Sequence, residues 1–387
     1  MMLIIPCQRD LFEIPDAVAY FNCAYIAPNL KSVRAAGEAG VARKSTPWTL
    51  HYKDFHEEVE TVRGLFALLI GAASDDIAII PAASYGAATA AANLTVEPGR
   101  RIVILANQHP SNVFPWREMC KLGGAEAVIV AKPEDDDWTP RVLAAIDERT
   151  AIVALPHCHW CDGTLIDLVA VGKRCREVGA ALIVDATQSA GAMPIDVKAV
   201  RPDFLFASGY KWLMCPYAFS FLYVAPERQD GRPLEANTFN YEGTAGGQTW
   251  QDGTLQYPRQ WSPGARRFDM GERANFALMP MAAGALGQIL EWGVGSINLS
   301  IAALTDIICD GAATLGFDVP PPAARSGHLT GLRFPGGAPA GVQDRLEALD
   351  IHISMRGDTI RVSPHLWVNQ TDVDRLLSAL AEVAPGG

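Results

Sequence analysis

The sequence of 387 residues has no long hydrophobic run and no dense cluster of positive charge. Because no stretch of about 18 uncharged apolar residues occurs, we expect no membrane-spanning helix. The N-terminus, MMLIIPCQRDLFEIPDA, has a short apolar run without a basic leader, which disfavours a secretory signal and favours a cytoplasmic location. The net charge is −11, and the sequence contains no block of Lys and Arg, so nucleic acid is not an expected partner.

The sequence also lacks the cysteine spacing of a disulfide framework. Its eight cysteines are scattered over the chain, and we expect most of them to be buried thiols. His157, Cys158, His159 and Cys161 do lie together in the segment HCHWCDG. Four ligands within five positions at a strand end would point to opposite faces, and no second Cys/His pair follows at a suitable spacing. The sequence therefore predicts no metal site.

Short apolar segments alternate with helical ones between about residues 77 and 225. The strand segments are DIAIIPA, RIVILAN, AEAVIVA, AIVALPH, ALIVDAT, FLFASG and FSFLYV. Helices are predicted between them at Tyr85–Asn93, Asn112–Leu122, Trp138–Ile146 and Leu168–Val178. Nearly continuous hydrophobicity is typical of strands that are buried on both faces of a parallel sheet. We therefore predict an α/β fold with a mostly parallel central sheet and flanking helices, whose ligands bind at the carboxyl ends of the strands.

The rest of the chain divides into a loop and a smaller domain. Residues 228–266 are rich in Gly, Gln, Pro and aromatic residues without periodicity, and they predict a long functional loop. The elements predicted beyond it are helices at Ala274–Trp292, Ser296–Thr314, Gly341–Leu349 and Asp372–Val383, a Pro/Gly-rich stretch at Val319–Ala340, and a hairpin at Ile351–Ser363. We predict a large ligand-binding domain over 21–270, a small C-terminal α/β domain over 271–387, and an N-terminal segment, 1–20, that packs on the small domain.

Polar side chains follow two consecutive strands in the middle of the chain. Asp185 and Gln188 come at the end of one strand, and Ser208 and Lys211 come at the end of the next. Asp185 and Lys211 are 26 residues apart, which is about one βα crossover plus a strand, so both side chains can reach one ligand. A pyridine cofactor needs a carboxylate beside its ring nitrogen and a lysine amine that forms a Schiff base. These residues predict a site for pyridoxal 5′-phosphate (PLP).

The segments VDATQSAGAMPIDV and SGYKWL, in this order and spacing, resemble the class V aminotransferase family of fold-type I PLP enzymes, which includes the cysteine desulfurases. The likeness extends from FNCAYIAP near the start to RVSPHLWVN near the end. It implies that Lys211 is the Schiff-base lysine, that Asp185 pairs with the pyridinium nitrogen and that Gln188 faces the phenolic oxygen of the cofactor. A surface lysine and a helix-capping aspartate are the structural alternatives, and the flanking motifs disfavour both.

Five further positions match cofactor-binding residues of the family. Ala83 and Ser84, in PAASYGAAT, fall at a strand-to-helix turn where backbone N–H groups bind the phosphate; a plain helix cap is the alternative. Ser208 resembles the second phosphate ligand, and Tyr210 stands where many relatives have His. His109, in NQHPSNVFPW, matches the residue that stacks on the ring and is able to shuttle protons; a structural histidine is the alternative.

The resemblance also implies a homodimer whose active site is completed by the second chain. In RRFDMGERANF, Gly271 and Glu272 fall where relatives place a Gly-Thr pair that reaches the phosphate of the neighbouring subunit. Glu272 departs from that pattern, because a carboxylate repels a phosphate. Gly271 is therefore the expected backbone donor, with Arg273 as a compensating charge.

The substrate implied by the family is a small amino acid. Arg361, in TIRVSPHLWVN, resembles the arginine that binds the α-carboxylate with a bidentate pair of hydrogen bonds; a surface arginine on a strand is the alternative. Ala24 and Tyr25, in FNCAYIAP, are expected close to the same substrate.

Two features bear on the reaction. Desulfurases usually carry Asn three residues before Gly163, where this chain has Trp160, and a Trp there resembles the cystine C–S lyase and epimerase branches. A desulfurase also needs a nucleophilic cysteine shortly before the substrate-binding arginine, and residues 336–361 contain none. Cys23 and Cys309 are disfavoured substitutes for it.

We expect a C–S lyase, with Trp160 beside the cofactor and Lys211, His109 and Asp185 as the catalytic residues. The alternatives are an aminotransferase or epimerase and, more remotely, a non-catalytic regulator.

Overall fold

The structure, a computed structural model, describes residues 2–242 and 249–384. Its strands are β1 Ala19–Tyr20, β2 Ile77–Ile80, β3 Arg101–Leu105, β4 Glu126–Val130, β5 Thr150–Pro156, β6 Ala181–Asp185, β7 Phe204–Ser208, β8 Ser220–Val224, β9 Thr249–Gln251, β10 Thr254–Gln256, β11 Thr330–Arg333, β12 Ile351–His352, β13 Ser354–Arg356 and β14 Thr359–Val362. Its α-helices are α1 Lys31–Arg43, α2 Glu57–Ile70, α3 Ala83–Ala92, α4 Phe114–Gly123, α5 Trp138–Ala145, α6 Leu168–Val178, α7 Val197–Val200, α8 Leu278–Trp292, α9 Val294–Thr314, α10 Val342–Glu347 and α11 Gln370–Ala381.

Seven strands form the central sheet in the order β2-β8-β7-β6-β5-β3-β4. The neighbours from β7 to β4 are parallel, and β8 runs antiparallel to both β7 and β2. Strands β2, β6, β7 and β8 are buried at every residue, which accounts for their continuous hydrophobicity. The seven strands coincide with the seven predicted segments, so the predicted fold class is confirmed.

Helices α1 and α2 lie in a region where the sequence analysis identified no element. Helix α1 contains Gly37 and Gly40, which weaken a helical pattern in sequence. In the folded chain the two glycines allow close approach to the segment that leads into α8, because a Cβ on Gly40 would lie 2.1 Å from the carbonyl oxygen of Phe276. Helix α8 packs against both α1 and α2.

A second, three-stranded antiparallel sheet has the order β11-β14-β13 and packs on α9, which in turn packs on α11. The hairpin predicted at Ile351–Ser363 corresponds to β13 and β14, whereas β11, inside the Pro/Gly-rich stretch, was not identified. The first residues run along this unit: Leu3 and Ile5 donate their N–H groups to the hydroxyls of Ser296 and Ser300 on α9. The proposed domain boundaries remain a prediction.

Helix α9 is the one helix in the described ranges whose length and hydropathy would suit a membrane span. It carries Asp306, which pairs with Arg325, and several of its side chains, including Ile301 and Ile308, are fully buried within the protein. These contacts are those of a core helix.

Candidate active site

A cavity of about 410 Å³ opens at the carboxyl edge of the central sheet. The sequence-predicted residues that line it are Ala83, Ser84, His109, Trp160, Asp185, Gln188, Ser208, Tyr210 and Lys211. A second cavity of about 230 Å³ adjoins it and shares His109, Trp160, Tyr210 and Lys211. The second cavity adds Ala24, Tyr25 and Arg361. The fold thus brings together side chains from segments that follow five different strands, and we call the two spaces the cofactor cavity and the substrate cavity.

Asp185 ends strand β6 and is fixed by its neighbours. Its Oδ1 accepts a hydrogen bond from the N–H of Thr187 (2.9 Å), and the side chain is buried. The hydroxyl of Thr187 accepts in turn from the N–H of Ser208 at the end of β7 (3.1 Å). This arrangement holds a carboxylate at the floor of the cofactor cavity, where it suits a protonated pyridine nitrogen.

Lys211 lies just beyond β7, with only 7% of its surface exposed. Burial and, to a smaller extent, the cation of Arg361 lower the pKa of its amine to about 8, although Asp185 opposes the shift. At pH 7 about a tenth of this amine is therefore uncharged, far more than for an exposed lysine. An uncharged amine is the form that attacks an aldehyde, so Lys211 has the environment of a Schiff-base lysine.

Helix α3 begins at the opposite end of the cofactor cavity. Its first residues, Ala83 and Ser84, line the cavity, and no side chain caps this end of the helix within the described ranges. The unpaired N–H groups of a first helical turn and the helix dipole favour an anion. Together with Ser208, they suit the phosphate of PLP, and this donor set fits the cofactor at both of its ends.

Gln188 makes two hydrogen bonds within the protein that the sequence analysis did not predict. Its Oε1 accepts from Nε1 of Trp212 (2.8 Å), and its Nε2 donates to the carbonyl oxygen of Ala24 (3.1 Å). The carbonyl of Tyr210 accepts from the N–H of Ala27 (3.0 Å). Both residues therefore hold the N-terminal segment against the site, and one Nε2 hydrogen of Gln188 is left for the cofactor.

His109 and Trp160 form the wall between the two cavities. Their rings meet edge to face, with centroids 5.3 Å apart and planes at 87°. Nε1 of Trp160 donates to the carbonyl oxygen of Asn107 (2.7 Å), and Nδ1 of His109 accepts from the N–H of Ser111 (3.4 Å). Burial lowers the pKa of His109, which favours the neutral imidazole.

Arg361 projects from β14 into the substrate cavity and is 1% exposed. Its Nη1 donates to the carbonyl oxygen of Trp160 (3.0 Å), and its Nη2 donates to the hydroxyl of Ser354 (3.3 Å). No carboxylate of the described residues pairs with it, so its buried charge is suited to a carboxylate from a substrate.

Gly271 lies apart from the other predicted residues. It lines neither cavity, and its N–H donates to Oε1 of Glu235 (2.6 Å), which also accepts from the hydroxyl of Tyr85. Arg273, expected as a compensating charge, is buried against Asp269 instead (3.0 Å). The proposed role of Gly271 toward a second subunit remains a prediction, and in this chain its N–H is already engaged.

The lining residues that the sequence analysis missed include Gln108, Thr187, Tyr217, Ala218 and Arg356. Tyr217 packs on the ring of Tyr210 (4.6 Å) and borders both cavities. Ala218 has a left-handed backbone (φ +60°). This conformation favours glycine, so an alanine in the sequence does not predict it. Of these residues, Arg356 could have been identified from its charge, because it lies five residues before Arg361.

The loop at 228–266 was expected to reach the active site. None of its described residues lines either cavity, and residues 243–248 lie outside the described residues. Its described part instead forms the hairpin of β9 and β10 and a stacked pair of Tyr241 and Trp261.

The side chains of the segment HCHWCDG lie in different parts of the structure. His159 stacks on Trp138 (5.4 Å), and Cys158 is fully buried against the carbonyl of Gln188. No group of three or more His, Cys, Asp or Glu within residues 2–242 and 249–384 is arranged to hold a metal ion.

Comparisons with known proteins agree with this geometry. The sequence model described as aminotransferase class-V matches residues 48–376. An uncharacterized aminotransferase of Bacillus subtilis, YcbU, is 27% identical over 87% of this chain and 86% of its own length. A probable cysteine desulfurase of Methanothermobacter thermautotrophicus is 31% identical over 57% of this chain and 56% of that protein.

Solved structures share the fold at low identity. The cystine C–S lyase C-DES, in complex with its product cysteine persulfide, superposes with a TM-score of 0.84 at 19% identity and covers 95% of this chain and 98% of that one. A lysine-to-alanine mutant of the same lyase holds glycine covalently linked to its PLP cofactor, with a TM-score of 0.83 at 18% identity over 97% of this chain and all of that one.

Proposed function

This chain belongs to the class V aminotransferase family of PLP-dependent enzymes, and we propose that it is a C–S lyase that cleaves the Cβ–S bond of a cysteine-derived amino acid. One observation carries the proposal: a substrate cavity with a carboxylate-binding arginine and a basic lysine contains no reactive thiol among its lining residues. Persulfide transfer, the reaction of the desulfurases, needs a thiolate that attacks the sulfur of the substrate.

The cysteines nearest the site are poor nucleophiles. Cys23 is fully buried, and burial raises the pKa of its thiol well above the usual value. Cys158 is also fully buried, and burial raises the pKa of its thiol to about 12. Burial likewise raises the pKa of Cys161 to about 12, and Cys309 lies buried against Thr330. All eight cysteines fall within the described ranges, and none combines access to the substrate cavity with a lowered pKa.

The residues of the site have distinct tasks in elimination. PLP, when bound, acts as the electron sink that stabilises negative charge at Cα. Arg361 binds the α-carboxylate and thereby fixes which Cα bond points toward Lys211. The uncharged amine of Lys211 accepts the Cα proton, and His109, at the wall between the cavities, holds a proton near the leaving sulfur. Overall, the substrate and one water give pyruvate, ammonia and a thiol.

The proposal is tested with cystine, cysteine S-conjugates and their sulfoxides. The PLP-loaded enzyme is expected to release pyruvate and ammonia in equal amounts from at least one of these, together with a thiol from an S-conjugate, a persulfide from cystine or a sulfenic acid from a sulfoxide. Lys211→Ala is expected to release none. Lys198→Ala, on the exposed helix α7, is the matched control and should retain the wild-type rate. Absence of pyruvate from the whole panel, with PLP bound, overturns the proposal.

A second candidate is transamination or epimerisation by the same residues, favoured by the likeness to the aminotransferase YcbU over most of both chains. Conversion of the cofactor to its pyridoxamine form, or solvent deuterium entering Cα without loss of the side chain, would identify this reaction in place of elimination.

A further inference from the structure

The substrate cavity carries more positive charge than one α-carboxylate neutralises. Arg356 and Arg361 both line it, together with Lys211, and no acidic side chain lines it. Burial lowers the pKa of Arg361, and the neighbouring Arg356 guanidinium lowers it further. Like charges in a partly buried space destabilise the protein unless anions enter between them.

Arg356 has few partners of its own. Its Nη1 donates to the carbonyl oxygen of Met355 (2.7 Å), and its Nε is buried without any hydrogen-bond partner within the described ranges. Two well-buried arginines outside the site do pair with acids, Arg63 with Asp269 and Arg325 with Asp306. Arg356 pairs with no carboxylate of the described residues, so its charge is free for a ligand.

Trp160 fixes both arginines relative to the reacting bonds. The guanidinium carbon of Arg356 lies 5.0 Å from the centre of the Trp160 ring, within the range of a cation–π contact. The carbonyl oxygen of the same Trp160 accepts from Arg361. A cation–π contact leaves the N–H groups of a guanidinium available for a planar anion. The pair is therefore oriented before a substrate arrives.

We infer that Arg356 binds a second anionic group, a carboxylate or a sulfonate at the end of the substrate's side chain, while Arg361 binds the α-carboxylate. This rests on the proposed function, and it names the substrate class as cysteine derivatives whose leaving group is an acidic thiol. Arg356 is then the residue that determines specificity, and Trp160 is the residue that positions it.

Matched thioethers test the charge alone. S-(2-carboxyethyl)cysteine and S-(2-carbamoylethyl)cysteine have nearly the same size and release thiols that differ by one charge. With the PLP-loaded wild type, kcat/KM is expected to be about 10-fold or more higher for the acid, the range of a charge-assisted hydrogen bond. S-(2-sulfoethyl)cysteine tells whether a sulfonate is accepted as well as a carboxylate or in place of it.

The variant Arg356→Gln should bring the acid-to-amide ratio close to 1, and Arg356→Lys should restore part of the preference because it restores the charge. Arg345→Gln, on helix α10 and outside both cavities, is the matched control and should keep the wild-type ratio. A wild-type ratio near 1, or a ratio unchanged in Arg356→Gln, overturns the inference and leaves the C–S lyase proposal intact.

Binding without turnover separates the two proposals. Glutarate should bind the PLP-loaded enzyme about 10-fold or more tightly than glutaramate by calorimetry, and this preference should be lost in Arg356→Gln. If no thioether is cleaved but the preference for glutarate depends on Arg356, the assignment of Arg356 to a second anionic group stands, and the C–S lyase proposal fails together with the substrate class that rests on it. If glutarate and glutaramate bind equally, the inference fails whatever the enzyme cleaves.

Discussion

At the scale of single residues, Lys211 and its surroundings set the reactivity of the site. The amine is buried, and the cations of Arg361 and Arg356 outweigh the single carboxylate of Asp185 in their effect on its pKa. An amine in such surroundings loses its proton at a lower pH than an exposed lysine does. Its readiness to form a Schiff base is therefore a property of its neighbours.

The entry of PLP into cofactor-free protein should report this pKa. The rate should rise from pH 6.5 with a midpoint at about pH 8 and level off about one pH unit higher, because only the uncharged amine reacts and its pKa is lowered to about 8. Arg361→Gln should move the midpoint to higher pH, since the Arg361 cation lowers the pKa of Lys211. The rate is followed as the visible absorbance of the Schiff base. A rate that still rises near pH 10, as for an ordinary lysine, would contradict the prediction.

At the scale of elements, the segment between β5 and α6 connects the two parts of the site. It carries Trp160, and it passes close to the residue before β11 at Gly163. Gly163 has a left-handed backbone (φ +74°), and a Cβ there would lie 1.9 Å from the carbonyl oxygen of Leu329. Only glycine permits this approach without movement of the backbone.

Substitution of Gly163 should therefore weaken the fold more than substitution of another left-handed glycine. Gly179 has φ +72° and nothing within 4 Å of a Cβ, so Gly179→Ala should lower the free energy of unfolding by about 1–2 kcal/mol, from backbone strain alone. Gly163→Ala should add at least about 1 kcal/mol for the steric clash and should reduce activity by displacing Trp160. Urea unfolding of both variants measures the difference, and equal losses would rule out the clash.

A buried ion pair joins three other elements. Asp269, which lies ahead of α8, accepts hydrogen bonds from Arg63 on α2 (2.8 Å) and from the N–H of Ile79 on β2 (2.8 Å). The side chains of Arg63 and Asp269 are both fully inaccessible to solvent. Asp269→Asn, which removes the buried charge that pairs with both Arg63 and Arg273, should lower the free energy of unfolding by about 3–5 kcal/mol.

The surface pair of Arg333 and Asp318 is the control for this effect. The two side chains are 58% and 47% exposed, so Asp318→Asn should change the free energy of unfolding by less than about 1 kcal/mol. Denaturant titration of both variants gives the comparison. A loss below 1 kcal/mol in Asp269→Asn would mean that the pair does not hold these elements together.

At the scale of the whole molecule, the site lies where three parts of the chain meet. The sheet edge provides Asp185 and Lys211, the hairpin of β13 and β14 provides Arg356 and Arg361, and the N-terminal segment provides Ala24. The N-terminal segment is held from both sides, because Ala24 donates its N–H to Ser363 and accepts from Gln188. Cofactor binding and folding should therefore be coupled.

Removal of PLP should lower the melting temperature of the 387-residue chain by about 3 °C or more. A ligand that binds only the folded state stabilises it by about 2.7 kcal/mol at 100 times its dissociation constant. Lys211→Ala should lose part of this stabilisation, because it binds PLP without the covalent bond. Differential scanning fluorimetry with and without PLP measures the shift, and no shift in the wild type would contradict the coupling.

The homodimer expected from the family is tested by sedimentation at micromolar concentration. The expected species has twice the mass of one chain, and PLP removal should leave most of it associated if the interface extends beyond the site. A species with the mass of one chain at all concentrations would overturn the expectation, together with the proposed role of Gly271.

The sequence alone determined the parts of this protein that depend on local pattern. The apolar segments specified seven buried strands, and parallel strands present their carboxyl ends at one edge, so Asp185 and Lys211 had to meet there. The order of the family motifs also identified Arg361 as a site residue, although it lies 150 residues beyond Lys211.

Only the tertiary structure determined which groups near those residues are available to bind a ligand. Helix α1 exists despite two glycines because α8 packs on it, and Gly271 is engaged because a distant Glu235 reaches its N–H. Arg356 is part of the site because the ring of Trp160, almost 200 residues earlier, supports it. Such contacts join segments that are far apart in the chain, and their geometry follows from packing rather than from any local pattern.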